Sequence, residues 1–291
     1  DPQVPVRSSR TCYSLPAPES HEFMIRLQPS ERARQAMSWL GRHELSTLVG
    51  FVLIAAGVWG FVELADEVLE GDTQSLDRAV LLAMRSNDDV TDPIGPKWVE
   101  ELGRDFTALG GVGVLTMITI AVTGYLGLQR KGRAALVVVV AVVGGLVVSQ
   151  MLKWQFARPR PDLVPHGSYV YTSSFPSGHA MMSAATYLTL GALLARVHAD
   201  RRLKAYFLIL AALLTLCVGT SRVYLGVHWP TDVLAGWTLG SCWAILCWLI
   251  ARRLQRHGEM EGGEALNDRS SEQLPSADER PDAEIQRRVH T

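Results

Sequence analysis

Three short stretches place cations, imidazoles and a carboxylate at spacings suited to anion chemistry. Lys153 is followed after six residues by Arg160-Pro161; Pro176-Ser177-Gly178-His179 stand together; and Ser221-Arg222 is followed after five residues by His228 and after three more by Asp232. Two arginines and a lysine match a phosphate-like dianion, because the guanidinium fork offers paired donors and the ammonium a point charge. Ser177 adds a hydroxyl donor, and Gly178 leaves the backbone open to close approach. Asp232 is spaced to accept a proton from one nitrogen of His228 and aim the other at the anion, so that the imidazole itself attacks. Singly, each feature also has an ordinary reading: an arginine at a membrane rim pairs with lipid phosphates, PSGH is a serine-capped helix start, and a lone histidine is interfacial. Three cations arriving beside two histidines and an aspartate favour one bound anion.

The elements that carry these residues follow from the hydropathy pattern. The chain has 291 residues, 48% of them hydrophobic, a net charge of -1 and a mean hydropathy of +0.12. That average conceals a segregation: residues 1–44 and 252–291 are polar, while 45–65, 106–128, 134–152, 179–197, 203–220 and 233–251 are apolar stretches. About 20 apolar residues span the roughly 30 Å of a bilayer core, and lipid leaves an open chain only the helix. The expected fold is all-α, a polytopic bundle of six transmembrane helices.

Lysines and arginines orient it. Arg26, Arg32, Arg34 and Arg42 precede the first span, Arg130, Lys131 and Arg133 join the second to the third, Arg196, Arg201, Arg202 and Lys204 join the fourth to the fifth, and Arg252, Arg253 and Arg256 follow the sixth. All four clusters fall on one side, expected to be the cytoplasm, with both termini there. The first outer loop is acidic. On this topology Lys153, Arg160, Ser177, His179, Arg222, His228 and Asp232 all reach the outer surface, where Lys153, Arg158, Arg160 and Arg222 run against the charge rule. A bound anion would compensate.

The flanks say less. Residues 30–43, opening on Ser30, suit either a helix lying on the inner leaflet or an extension of the first span. The segment from 257 to 291 is poor in large apolar residues, and the tail 252–291 is expected to be cytoplasmic and disordered. The opening DPQVPVRSSR has no apolar core, so no cleavable signal peptide is expected, and a start without Met suits a trimmed chain. Cys217, Cys242 and Cys247 fall in spans and Cys12 in the inner tail, as small apolar fillers rather than disulfide partners.

Together the three stretches resemble the three-part signature of the type 2 phosphatidic acid phosphatase (PAP2) superfamily, shared with vanadium haloperoxidases and glucose-6-phosphatase, over residues 45–251 and with no departure at a motif position. LDRAVLLAM (76–84) and RDFTALGG (104–111) are similar, less specifically, to first-loop and second-span segments of bacterial membrane members. The resemblance implies hydrolysis of a phosphate ester or pyrophosphate through a phosphohistidine, with no metal ion and no cofactor. It makes His228 the nucleophile, Asp232 its orienting partner and His179 the general acid, with Lys153, Arg160, Ser177, Gly178 and Arg222 binding the phosphoryl oxygens. Such a site at the rim of a bacterial inner membrane, facing the periplasm, would act on a lipid phosphate or pyrophosphate: undecaprenyl diphosphate, phosphatidylglycerophosphate, phosphatidate or a lipid A phosphate. Membrane lipids are the expected partners and nucleic acid is not. A non-catalytic lipid-phosphate binding or transport protein and a vanadate-dependent haloperoxidase are the other readings.

Overall fold

The structure, a computed structural model, describes residues 42–162 and 173–272, with side-chain environments over 45–162 and 173–253. Among these residues the regular secondary structure is all helix, apart from one isolated antiparallel bridge between Arg85 and Pro93. Its helices are α1 (Arg42–Glu70), α2 (Gln74–Ala83), α3 (Lys97–Leu109), α4 (Val112–Leu128), α5 (Gly132–Val139), α6 (Gly145–Gln155), α7 (Gly178–Val197), α8 (Arg201–Tyr224) and α9 (Pro230–Glu272), with a π-helical turn over Val140–Gly144 joining α5 to α6. Among the described residues five helical segments are long and apolar enough to cross a membrane, or six when α3 and α4, bent by 51°, are taken together as one span. The segment 30–43, read as a surface helix or an extension of the first span, lies outside the described residues except for Arg42 and His43, which begin α1.

Two expectations are corrected. The second span was expected to be continuous from Phe106, but the chain turns at Gly110–Gly111. The reason is chemical: α3 carries Lys97, Glu100, Glu101, Arg104 and Asp105, which hydrocarbon does not accept, so only α4 is apolar throughout. A Cβ on Gly110 would meet Val218 Cγ1 at 2.4 Å and the His179 carbonyl oxygen at 3.3 Å, so the turn needs a residue without a side chain to lie this close to α7. Tyr187 Oη donates to the Leu109 carbonyl at 2.7 Å, satisfying one acceptor left at the end of α3. The second correction is at the far end. The final helix runs on to Glu272, so residues 252–272 of the expected disordered tail are helical; no proline interrupts them, and a helix already nucleated in the span propagates at little cost. Residues 273–291 lie outside the described residues.

Helix α7 forms the centre of the bundle, buried at every residue from Ala180 to Tyr187. Against it α9 packs through Gly236 and Gly240, where added Cβ atoms would lie 2.6 Å from the Ser177 carbonyl oxygen and 2.4 Å from that of Met181. Small residues four apart on both helices, Ala180 and Ala184 facing the two glycines, let the backbones approach closely, the usual means of helix association where lipid removes the hydrophobic driving force. The π turn meets α9 at Trp243, whose indole N–H donates to the Ala141 carbonyl at 3.0 Å.

Candidate active site

The start of α9 builds the first half of the site. Pro230 occupies the opening position of the helix, which costs no hydrogen bond there. Asp232, two residues on, turns back so that Oδ2 accepts the Trp229 N–H at 2.9 Å, the carboxylate arm of a capping box. The same oxygen faces His228 Nδ1 at 3.2 Å, and Oδ1 accepts from Arg158 Nη1 at 2.7 Å. On the other side of the ring, His228 Nε2 lies 3.2 Å from Arg160 Nη1, which also donates to the Val227 carbonyl at 3.0 Å. A guanidinium only donates, so Nε2 is the acceptor and the ring proton sits on Nδ1 toward Asp232, a tautomer assigned from these partners. His228 is 1% exposed and Asp232 fully buried.

Helix α7 supplies the second half. Ser177 precedes it in extended backbone and donates its N–H to the Asp232 carbonyl at 2.9 Å, tying the two helix starts together. No serine cap forms, against the ordinary reading of PSGH: the Ser177 hydroxyl is buried with no hydrogen-bond partner among the described residues. A Cβ on Gly178 would lie 3.4 Å from the Lys153 ammonium and 3.5 Å from Ser149 Oγ, so Lys153 stands over the glycine's backbone. Arg222, near the end of α8, donates from Nη1 to Thr107 Oγ1 at 3.1 Å, while its Nε has no partner among the described residues. Arg222, His228, Lys153 and Arg160 are all within electrostatic reach of His179. Every residue singled out from the sequence therefore belongs to one cluster: Lys153, Arg160, Ser177, Gly178, His179, Arg222, His228 and Asp232.

Four contributors were not singled out. Asp77 of α2 is fully buried; Oδ2 accepts from Arg158 Nη2 at 2.6 Å and Thr231 Oγ1 at 2.6 Å, and Oδ1 from the Thr231 N–H at 2.9 Å. Thr107 orients Arg222. LDRAVLLAM and RDFTALGG contain Asp77 and Thr107 and were the only signal of either; Arg158 appeared as one more rim cation, and Thr231 as an unremarked neighbour of Asp232. With Asp77 and Asp232 set against Lys153, Arg158, Arg160 and Arg222, the cluster has two positive charges in excess, matching a phosphate dianion.

Burial, reinforced by Arg222, Arg160 and Lys153, holds the His228 imidazole well below its ordinary value of 6.5. It is neutral at neutral pH, as a nucleophile must be. Burial also lowers Arg160 from 12.5, with Asp232 opposing the shift.

Comparison with known proteins accounts for this arrangement. Residues 134–256 match the model of the PAP2 superfamily. Phosphatidylglycerophosphatase B of Bacillus subtilis (strain 168) is 32% identical over 184 residues, covering 62% of this chain and 85% of that relative. The chain belongs to the PAP2 superfamily. It is a multi-pass membrane phosphatase of that family, and its helical architecture is similar to that of a PAP2-type phosphatidylglycerolphosphate phosphatase from Bacillus subtilis solved by crystallography, with a TM-score of 0.60 at 27% identity over 69% of this chain and 96% of the other. An undecaprenyl-diphosphatase of Sulfolobus acidocaldarius is 33% identical over 118 residues, 39% of this chain and 53% of the relative. The PAP2 match begins in α5, so it includes all eight residues of the cluster read from the sequence and leaves out Asp77 and Thr107.

Proposed function

We propose that this protein is a lipid phosphatase that works through a phosphohistidine on His228. The observation carrying this reading is the position of His228: Nδ1–H directed to Asp232, and the Nε2 lone pair facing a cluster with two positive charges in excess. Nε2 attacks phosphorus, the bond from phosphorus to the lipid oxygen breaks, and His179 gives its proton to that oxygen. Water, deprotonated by His179, then cleaves the P–N bond and releases inorganic phosphate. Lys153, Arg160, Arg222, Ser177 Oγ and the backbone at Gly178 bind the phosphoryl oxygens, where charge gathers in the transition state; fixed donors at such places supply most of the stabilisation. Hydrogen-bonding atoms on Ser177 and Arg222 that have no partner among the described residues support this assignment.

No step calls for a metal ion. The relatives' names support hydrolysis over binding alone or halide oxidation, and the length covered by the Bacillus relative favours a phosphatidylglycerophosphate-like monoester over undecaprenyl diphosphate. The charge asymmetry of the loops supports a site on the periplasmic face of a bacterial inner membrane, with both termini cytoplasmic.

Phosphate release by the purified protein in detergent, across phosphatidylglycerophosphate, phosphatidate, undecaprenyl diphosphate and lipid A, tests this reading. Activity on at least one lipid, retained in EDTA and lost at least about 1,000-fold in a folded His228→Ala variant, is expected. Full activity in that variant, or strict dependence on a divalent ion, would overturn the mechanism.

A further inference from the structure

Asp77 lies in the first outer loop, outside the part of the chain that matches the PAP2 model. A carboxylate there with a merely local task would face solvent or its own loop. This one is fully buried, and its hydrogen bonds cross 81 residues of sequence to Arg158 and 154 to Thr231.

Its partners show what it does. Arg158 bridges two carboxylates with two different nitrogens: Nη2 on Asp77 Oδ2 at 2.6 Å, Nη1 on Asp232 Oδ1 at 2.7 Å. Arg158 also holds Thr231 Oγ1 at 2.8 Å. Only one oxygen of Asp232 is thereby taken by the guanidinium. The other, Oδ2, remains for His228 Nδ1 and the Trp229 N–H. An arginine facing a single carboxylate tends to close on it with both nitrogens, the bidentate geometry that is strongest for this pair. Without Asp77, Arg158 would turn onto both oxygens of Asp232 and compete with His228 for Oδ2. Asp77 also satisfies the Thr231 N–H, one of the unpaired donors in the first turn of α9, and so fixes the helix start from which Asp232 projects.

We infer that Asp77 is a positioning residue for the attacking histidine: by holding Arg158 to one oxygen of Asp232, it reserves the other for His228 Nδ1. This rests on the phosphohistidine reading above. Asp77 touches no reacting atom, so its removal slows the chemical step without weakening phosphate binding, to which the lost negative charge adds only attraction.

The experiment compares the full-length wild type with Asp77→Asn and Asp77→Glu in detergent, with His228→Ala as control. It reads kcat and KM on the most active lipid, competitive inhibition by inorganic phosphate, and the downfield proton resonance of the His228 Nδ1–H bond to Asp232 in histidine-labelled protein. Asp77→Asn is expected to lower kcat by about 10–100-fold, with KM and phosphate inhibition weakened by no more than about twofold, and to shift or broaden the resonance. Asp77→Glu, which keeps the charge on a longer arm, is expected to recover part of kcat. Unchanged kcat with an unchanged resonance overturns the inference, as does a loss confined to KM and phosphate inhibition. If Asp77→Asn does not fold, the Glu variant decides by the same split between kcat and KM. A wild type inactive on every lipid, or an active His228→Ala, defeats the phosphohistidine reading instead, and the resonance still reports whether Asp77 governs the His228–Asp232 bond.

Discussion

At the scale of single residues, His228 carries a stability cost as well as a chemical role. Its folded-state value is depressed, so between that value and 6.5 the unfolded chain takes up a proton that the folded one refuses. Stability contributed by this group is intact above pH 6.5 and falls as the pH drops below it, by up to about 1.4 kcal/mol for each pH unit until the folded value is reached. Thermal unfolding followed from pH 7.5 to 5 should therefore show a steeper fall for the wild type than for His228→Gln. Parallel curves would mean that His228 accepts its proton near the ordinary pH. The residues of the anion cluster were legible because each belongs to a short local pattern: four residues from His228 to Asp232, seven from Lys153 to Arg160. Asp77 and Thr107 were not, since a buried carboxylate or hydroxyl acquires its meaning from partners far along the chain, and one sequence does not show which ends meet.

Among the elements, the contact between α7 and α9 sets the site most directly, because Ser177 at the start of one helix is bonded to the backbone of Asp232 at the start of the other. Gly240 keeps that pair close: an added Cβ would sit 2.4 Å from the Met181 carbonyl oxygen and 2.6 Å from Ala184 Cβ. Gly240→Val is expected to cost about 1–3 kcal/mol and to lower phosphate release, since separating the helices also separates the two histidines. An unchanged unfolding midpoint with full activity would contradict so close an approach. Hydropathy revealed that these helices exist, but it blurred their ends. Hydropathy averaged over a span hides the break at Gly110–Gly111, because α4 alone is apolar enough to lend its character to the last turn of α3, and the polar end turn Ser221–Tyr224 falls beyond the apolar stretch 203–220. The extension of α9 to Glu272 was hidden for the opposite reason: polar composition marks the end of the membrane rather than of the helix.

For the molecule as a whole, the orientation proposed from loop charges makes a direct forecast. Alkaline phosphatase fused after Asp89 should be active, and after Arg130 or Asp200 inactive, in a bacterial host; the reverse pattern would put the anion cluster on the cytoplasmic face. In the proposed function a lipid phosphate reaches the cluster from the bilayer rim with its tail still in hydrocarbon. The π turn over Val140–Gly144 bears on this arrangement. One extra residue in a helix advances everything beyond it by about 100°. In α5 the buried Val137 and Val138 precede the insertion, while in α6 Gly145 and Ser149 turn toward α7, and Lys153 follows on their side. The span thus carries two phases on one rod, one for cohesion of the bundle and one for the anion. A single deletion within VVVVAVVGG would keep the hydropathy and the length needed to cross the membrane, yet swing the Lys153 ammonium away from Gly178 into lipid.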